Sequence, residues 1–319
     1  MNDQYLWDRS GPPDPEVEAL EQTLAPLRYR HRASLVREAK PAPRLRWMAA
    51  AAVFLAALGL SRIAIPSGRA TSWQISKFAG AARVGGGDAE LAMTLRSGQV
   101  LRTAAGAELS LESDRVGQVD LGPESELRAA TDHKMVLNRG VLHAFIWARP
   151  REFVVDTPSS RAVDLGCEYT LNVDDAGNGV VRVRMGWVAF QFGDYESFIP
   201  AGAECVTSKR HGPGIPFYED APEAFRHALA RFETGDTAAL ADVLRRARPN
   251  DGLTLWHLLT RVPQRDLGAV YDRLAALVAL PPEVTRDNVL RHDRRALDLC
   301  WNALNLENTD WWRGWERAW

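Results

Sequence analysis

Cysteine is scarce in this sequence, and so are the motifs of catalytic and metal-binding sites. Three cysteines occur in 319 residues, which excludes a small domain stapled by many disulfides. The chain has no CxxC pair, HExxH helix, GxxxxGK phosphate loop, nucleophile elbow or EF-hand loop. No pair of carboxylates has a context that suggests acid–base catalysis. We therefore expect no enzyme activity, no metal and no cofactor.

An excess of charge of either sign is also lacking. Lys and Arg total 39 against 41 Asp and Glu, which gives a net charge of -2. A nucleic-acid-binding domain is expected to be strongly basic, so we predict no direct nucleic-acid partner. The hydrophobic share of 46% and the charged share of 25% exclude wholesale disorder and collagen. At about 150 residues per domain, the length indicates about two domains.

Long apolar runs are absent except at residues 47–65, which read WMAAAAVFLAALGLSRIAI. No charged or strongly polar residue occurs from Trp47 to Leu60, and Arg62 lies near the end. At about 1.5 Å per residue, a helix of this length spans about 28 Å, close to the hydrocarbon core of a bilayer. We predict a single transmembrane helix at 47–65, with the lipid bilayer as its partner. A buried soluble helix and a cleaved signal peptide are the alternatives.

The charges beside this run predict its orientation. Seven basic residues lie within the twenty positions before Trp47, and three lie within the twenty positions after Ile65. Because positive charge is retained on the inner side of a membrane, we expect the N-terminus inside and residues 66–319 outside.

The inner segment, residues 1–46, contains one amphipathic pattern. Val17, Leu20, Leu24 and Leu27 share one face of a predicted helix. A face this narrow on a lone helix cannot bury itself. We interpret it as a docking helix for a cytoplasmic protein. The alternative is a weakly ordered tail whose basic end rests on anionic lipid.

Residues 70–218 read as a β domain, because short strand-like runs alternate with Gly, Asn, Asp and Pro turns. The loop at residues 174–179, DDAGNG, has the composition of a hairpin connection. The spacing predicts an all-β sandwich or rolled antiparallel sheet. The clearest predicted strands are Val116–Leu121, Gly140–Trp147, Glu152–Asp156, Glu168–Val173, Val180–Arg184 and Gly186–Phe192.

Residues 219–319 read as an all-α helical bundle or stacked helical hairpins, with five helices separated by Gly and Pro turns. The end of the chain is rich in tryptophan. We interpret this aromatic patch as a binding surface for a partner or for a membrane, with docking onto the bundle as the alternative. Its residues are Trp311, Trp312, Trp315 and Trp319.

Two of the cysteines, Cys167 and Cys205, lie on predicted strands of the β domain. A disulfide between them is geometrically conceivable, and two buried free thiols are the alternative. The seven histidines are scattered. His143, in a predicted strand, and His257, in an apolar helix, are interpreted as core or surface residues and not as ligands.

The run from Phe153 to Phe192, followed by FIPAGAECV, resembles the FecR domain family over residues 95–210. The family shows a V-x-T-P strand, a V-x-x-G-T-x-F-x-V strand, a G-x-V-x-V strand and a closing V-x-L-x-A-G-E. Cys167 stands where that pattern has Thr. The matching residues are Thr157, Pro158, Gly166, Tyr169, Gly186, Ala201, Gly202 and Glu204.

The resemblance implies a regulator in the bacterial inner membrane. Its all-β domain would be periplasmic and tethered by one transmembrane helix. Its cytoplasmic segment would bind an extracytoplasmic-function sigma factor, as an anti-sigma factor or sigma regulator does. The alternative is a membrane-anchored envelope module that binds glycan, peptidoglycan or protein and has no sigma partner.

Overall fold

The computed structural model describes residues 72–193 and 195–306. Three sequence predictions fall outside these residues: the docking helix with Val17, Leu20, Leu24 and Leu27, the apolar run at 47–65, and the patch of Trp311, Trp312, Trp315 and Trp319. The described residues belong to one compact unit.

Eighteen strands form the larger part of the described chain. The predicted strands from residue 116 to residue 192 all overlap observed ones, although the strand predicted at Gly140–Trp147 begins earlier, at Lys134. In chain order the strands are β1 (Trp73–Ala79), β2 (Ala82–Val84), β3 (Gly87–Asp88), β4 (Thr94–Leu95), β5 (Val100–Thr103), β6 (Glu108–Ser113), β7 (Gly117–Leu121), β8 (Glu126–Thr131), β9 (Lys134–Ile146), β10 (Val154–Asp156), β11 (Arg161–Asp164), β12 (Glu168–Val173), β13 (Gly179–Met185), β14 (Trp187–Phe192), β15 (Tyr195–Pro200), β16 (Ala203–Ser208), β17 (Gly212–Pro213) and β18 (Phe217–Tyr218).

The strands form two sheets. In the first, the order is β4, β1, β6, β7, β9, β12, β13 and β16, and β17 and β18 both pair with β16. In the second, the order is β3, β2, β5, β8, β9, β10, β11, β14 and β15. Every pairing is antiparallel except that of β9 with β10. Inward side chains of both sheets, such as Leu111, Leu127 and Val155, are fully buried.

The long strand β9 belongs to both sheets. Its first half pairs with β8 and β10, and its second half, from Gly140 onward, pairs with β7 and β12. Gly140 lies at the change, with φ +97°. A Cβ at this position would lie 2.1 Å from the Ser125 hydroxyl oxygen. Only glycine combines this backbone angle with so close an approach.

In the described part of the chain, six α-helices follow the strands. The last two begin at side-chain caps, where Thr285 accepts from the Asn288 amide at 3.3 Å and Asp293 accepts from the Ala296 amide at 2.8 Å. The helices are α1 (Glu223–Glu233), α2 (Ala239–Arg246), α3 (Gly252–Leu259), α4 (Gln264–Leu277), α5 (Arg286–Leu290) and α6 (Arg294–Ala303), with a 3-10 turn at Pro249–Asp251 before α3.

Helices and strands share one hydrophobic core. Trp301 of α6 packs against Trp187 of β14 and Phe198 of β15, with ring centroids 5.8 Å apart in both pairs. Trp256 of α3 lies 4.6 Å from the same indole. These rings bury large apolar areas against each other, so the helices complete the core of the β structure.

The predicted fold class is therefore corrected. The sequence predicted a multidomain chain with a transmembrane helix, a β domain and a separate helical bundle. The structure shows a mostly β fold whose C-terminal helices pack into the same core. Within residues 72–193 and 195–306, none of the helices has the length and apolar character needed to cross a membrane. The domain boundaries at residues 46, 65, 70 and 218 stay predictions.

Candidate functional site

The FecR-like motif positions form turns and core contacts. Gly166 and Gly186 have φ of +83° and +71°. A Cβ on Gly186 would lie 1.9 Å from the Gly166 carbonyl oxygen, so the two turns touch through their backbones. Tyr169 is fully buried, and Glu204 accepts from Arg182 Nε at 2.9 Å. The motif thus specifies how the strands meet and places no reactive group at the surface.

The conceivable disulfide is absent, because Cys167 and Cys205 are free and buried. The Cys167 thiol donates to the Asp164 carboxylate. The Cys205 thiol donates to the carbonyl oxygen of Gly214 at 3.4 Å. Each thiol thus has its own hydrogen-bond partner, and the two partners are different residues. Burial raises the pKa of both thiols, which keeps them protonated and unreactive.

Asp164 is the most deeply buried carboxyl of the β structure. It accepts from the Gly166 amide at 2.8 Å as well as from the Cys167 thiol, and none of its surface is exposed. Burial raises its pKa to about 7. The hydroxyl of Tyr169 is buried without a hydrogen-bond partner. Asp164, Cys167 and Tyr169 are all fully buried, so we assign them to the core and not to a site.

The outer edge of β15 is covered by side chains from the end of α3. The Phe198 amide donates to His257 Nε2 at 3.1 Å, and the ring Nδ1 lies 2.9 Å from the Leu253 carbonyl oxygen. Arg261 donates to the Ser197 hydroxyl at 2.8 Å and to the Pro213 carbonyl at 2.9 Å. Helical side chains therefore replace a neighbouring strand along this edge. His257 is a core residue, which is one of the two interpretations that the sequence left open.

A groove of about 820 Å³ runs between β16–β17 and α1. We call it the β16–α1 groove. Val206, whose side chain points out of the sheet and is 44% exposed, forms one wall. Ala230 and Phe232 of α1 form the other wall, and Ile215 and Phe217 lie at the base. Its surface is mainly apolar, as is usual for sites that bind small molecules or peptide side chains.

Glu233 lies at the inner end of this groove, where α1 ends. Its carboxylate accepts from the Ile215 amide at 2.5 Å. A Cβ on Gly214 would lie 2.5 Å from the same oxygen, which explains the glycine. Burial raises the pKa of Glu233 to about 7, although Arg261 nearby favours the charged form. The carboxyl can therefore hold or release a proton near neutral pH.

The rim of the groove is polar. His211 lies on the strand side, and Glu223, Arg226 and His227 lie on α1. These exposed side chains can orient the polar part of a ligand whose apolar part lies on Val206 and Phe217. Ser208 also lines the groove, and its hydroxyl lies 3.4 Å from His211 Nδ1, so a polar pair stands beside the apolar wall. Throughout residues 72–193 and 195–306, no cluster of three or more His, Cys, Asp or Glu side chains could hold a metal ion.

The sequence did not predict this groove. Its two walls were assigned to different domains, and nothing local showed that they meet. One signal was present: Val206 is an apolar residue at an outward position of a strand, between the inward Cys205 and Thr207. An apolar side chain on an outer face can indicate a contact surface.

The fold and the groove together define a β-sandwich protein, completed by helices, with a surface suited to binding. No protein-family model matches the sequence. No curated protein matches it either. Two crystal structures of a "putative anti-sigma factor" from Parabacteroides distasonis, at 1.65 and 2.50 Å, are similar to part of the chain. Both are 15% identical to it, with a TM-score of 0.33. The alignment with the first structure covers 41% of this chain and 64% of that structure. The alignment with the second covers 46% of this chain and 73% of that structure.

Proposed function

We propose that this protein is a non-enzymatic regulator of the FecR type. In this proposal, residues 1–46 bind an extracytoplasmic-function sigma factor. The described β structure with its helices receives the signal that controls this binding. The β16–α1 groove is where a ligand is bound.

The observation that supports the proposal is the agreement between the FecR-like motif and the strands. The V-x-T-P element ends in a turn after β10, where Thr157 Oγ1 accepts from the Ser160 amide at 3.0 Å. Gly166 and Gly186 form the turns before β12 and β14, and Gly202 forms the turn before β16. A motif carried by turn glycines supports a family fold more than a shared reaction. The regulatory function is therefore proposed from the resemblance to the family. The shape of the β16–α1 groove is consistent with ligand binding.

The sigma-factor half is tested with the full chain. Leu20→Asp and Leu24→Asp together place two charges on the predicted apolar face of the N-terminal helix. Gln22→Asp is the matched control, because position 22 lies on the opposite face of the same predicted helix. The readout is co-purification with each extracytoplasmic-function sigma factor of the host.

We expect one sigma factor to co-purify with the unaltered chain and with Gln22→Asp. The double leucine variant should lose at least about tenfold in affinity, since two apolar anchors at a helical interface are replaced by charge. If no sigma factor binds the unaltered chain, the sigma-factor half of the proposal is wrong. An envelope-binding module without a sigma partner then becomes the better interpretation.

The groove half is tested separately by filling the groove. Ala230→Trp introduces an indole on the groove side of α1, and Ala224→Trp introduces one at an exposed position of α1 outside the groove lining. We expect Ala230→Trp, and not Ala224→Trp, to abolish the response of a sigma-dependent reporter to the inducing condition. Equal responses in both variants would show that the groove does not receive the signal.

The cellular compartment of residues 66–319 is not tested by these experiments. The prediction of a periplasmic region at 66–319 stays a prediction, and the proposal above does not depend on it.

A further inference from the structure

A second groove lies at the end of the described chain, between β18, the turn before α3, and the ends of α4 and α6. We call it the C-terminal groove. It has a volume of about 750 Å³. Leu277, Val278, Leu304 and Leu306 all line it, and each is packed against the core on one side and partly exposed on the other. Four aliphatic side chains thus meet in one concave surface, which favours an apolar occupant.

Gly252 forms the floor of this groove. A Cβ there would lie 2.9 Å from Leu304 Cδ2 and 3.3 Å from Val278 Cγ2. The aliphatic side chains therefore sit directly on the backbone at the start of α3. The floor is shaped by glycine, and the groove stays open above it.

The chain itself is directed into the groove at its last described residues. Asn305 follows α6 with φ +52°, the left-handed conformation that ends helices. Its amide donates to the Asn302 carbonyl oxygen at 3.3 Å. This turn lays Leu306 against the groove, so the next residue begins there and not at a distant surface.

The residues beyond Leu306 have a composition that matches this surface. Residues 307–319 read ENTDWWRGWERAW and contain four tryptophans and two arginines. The rim of the groove carries the carboxylates of Glu219 and Asp220. The indoles match the aliphatic side chains, whereas the segment carries three acidic residues against two basic ones, so charge does not favour this rim.

We propose that residues 307–319 of the same chain dock into the C-terminal groove through their tryptophans. Thirteen residues reach at most about 45 Å when extended and about 20 Å when helical. Both lengths are sufficient for a segment that starts inside the groove. A tryptophan buries about 150–250 Å², so the aliphatic side chains can be covered by two or three of the four indoles.

The test uses the full chain and hydrogen exchange of its backbone amides. In one variant Trp311, Trp312, Trp315 and Trp319 are all replaced by serine. In the matched control, Arg313→Ser and Glu316→Ser change the same segment without removing an indole. We expect amide exchange at residues 277–280 and 250–253 to become about tenfold faster in the tryptophan variant, because the cover of the groove is lost. The control should exchange within about threefold of the unaltered chain.

A reciprocal variant alters the groove and leaves the segment intact. Val278→Asp places a charge on the floor, so tryptophan emission should shift to longer wavelength. The same substitution in the variant without Trp311, Trp312, Trp315 and Trp319, which keeps the other seven tryptophans, should give no such shift. This comparison separates release of the segment from local unfolding. Unchanged exchange in the tryptophan variant would overturn the proposal. Light scattering measures the oligomeric state. If the unaltered chain is a dimer and the tryptophan variant is a monomer, the segment docks onto a second copy of the chain, and this result would also overturn the proposal.

Discussion

Replacing His257 by leucine removes the acceptor that holds the outer edge of β15. In the folded protein, the Phe198 amide donates to His257 Nε2 at 3.1 Å, and both residues are buried. Leucine leaves this N–H without a partner in the core. The other ring nitrogen, 2.9 Å from the Leu253 carbonyl oxygen, is lost as well. Glutamine is the informative comparison, because its side-chain oxygen can take the place of Nε2 and preserve the bond to Phe198.

The expected magnitude follows from these two bonds. A buried N–H without a partner costs about 1–3 kcal/mol, and the second hydrogen bond contributes about 0.5–1.5 kcal/mol. The leucine variant should therefore lose about 2–4 kcal/mol of the free energy of unfolding. The glutamine variant should recover about 1–3 kcal/mol of that loss. Urea unfolding at fixed pH measures both values.

Hydrogen exchange of the Phe198 amide provides the local readout. Its exchange should accelerate in the leucine variant and remain slow in the glutamine variant, because only glutamine offers an acceptor. Equal stability of the two variants, or slow exchange of this amide in both, would refute the assignment of His257 as the cap of β15.

Three further predictions concern a buried carboxyl, a glycine of β9 and the cysteines. Because burial raises the pKa of Asp164 from 3.8 to about 7, the folded state holds a proton that the unfolded state releases between these values. The contribution of this carboxyl to the free energy of unfolding is thus full below about pH 4 and is lost as pH rises through 7. Between pH 5 and 8, the free energy of unfolding of the unaltered chain should therefore fall by about 3 kcal/mol more than that of Asp164→Asn, as measured by urea unfolding. Gly140→Ala should destabilise clearly more than Gly98→Ala in thermal unfolding, since both have positive φ but only the first meets a neighbouring side chain. The three cysteines are buried, so a thiol reagent should label none of them in the native chain and all of them in urea.

Local patterns in the sequence predicted much of the β structure. The Asp-Asp-Ala-Gly-Asn-Gly loop does form a hairpin connection, with Gly177 at φ +84° and the Asn178 amide bonded to Asp174 at 2.8 Å. Such turns are determined by residues close in sequence. The strand predicted at Gly140–Trp147 instead begins at Lys134. Its first half was missed because the pairing partners of β9 change at Gly140, and pairing depends on distant strands.

The relation between strands and helices could not be predicted in the same way. Apolar spacing showed that α3 and α6 each bury a face, but it did not show which surface they bury it against. Trp301 meets side chains of β14 and β15, and Trp256 packs on Trp301, so helices and strands share one core. The β16–α1 groove was missed for the same reason, because it exists only where the two regions meet.

The covered edge of β15 has a consequence for how the chain is made. Phe198 and His257 are 59 residues apart. At about 5–20 residues per second, a ribosome needs roughly 3–12 s to add those residues. During that interval the nascent chain presents the edge of β15 with its outward amides unpaired, and such an edge can pair with another chain. This protein is therefore most prone to pairing with other chains before its synthesis is complete. A chaperone at the ribosome would protect the edge of β15 during that interval.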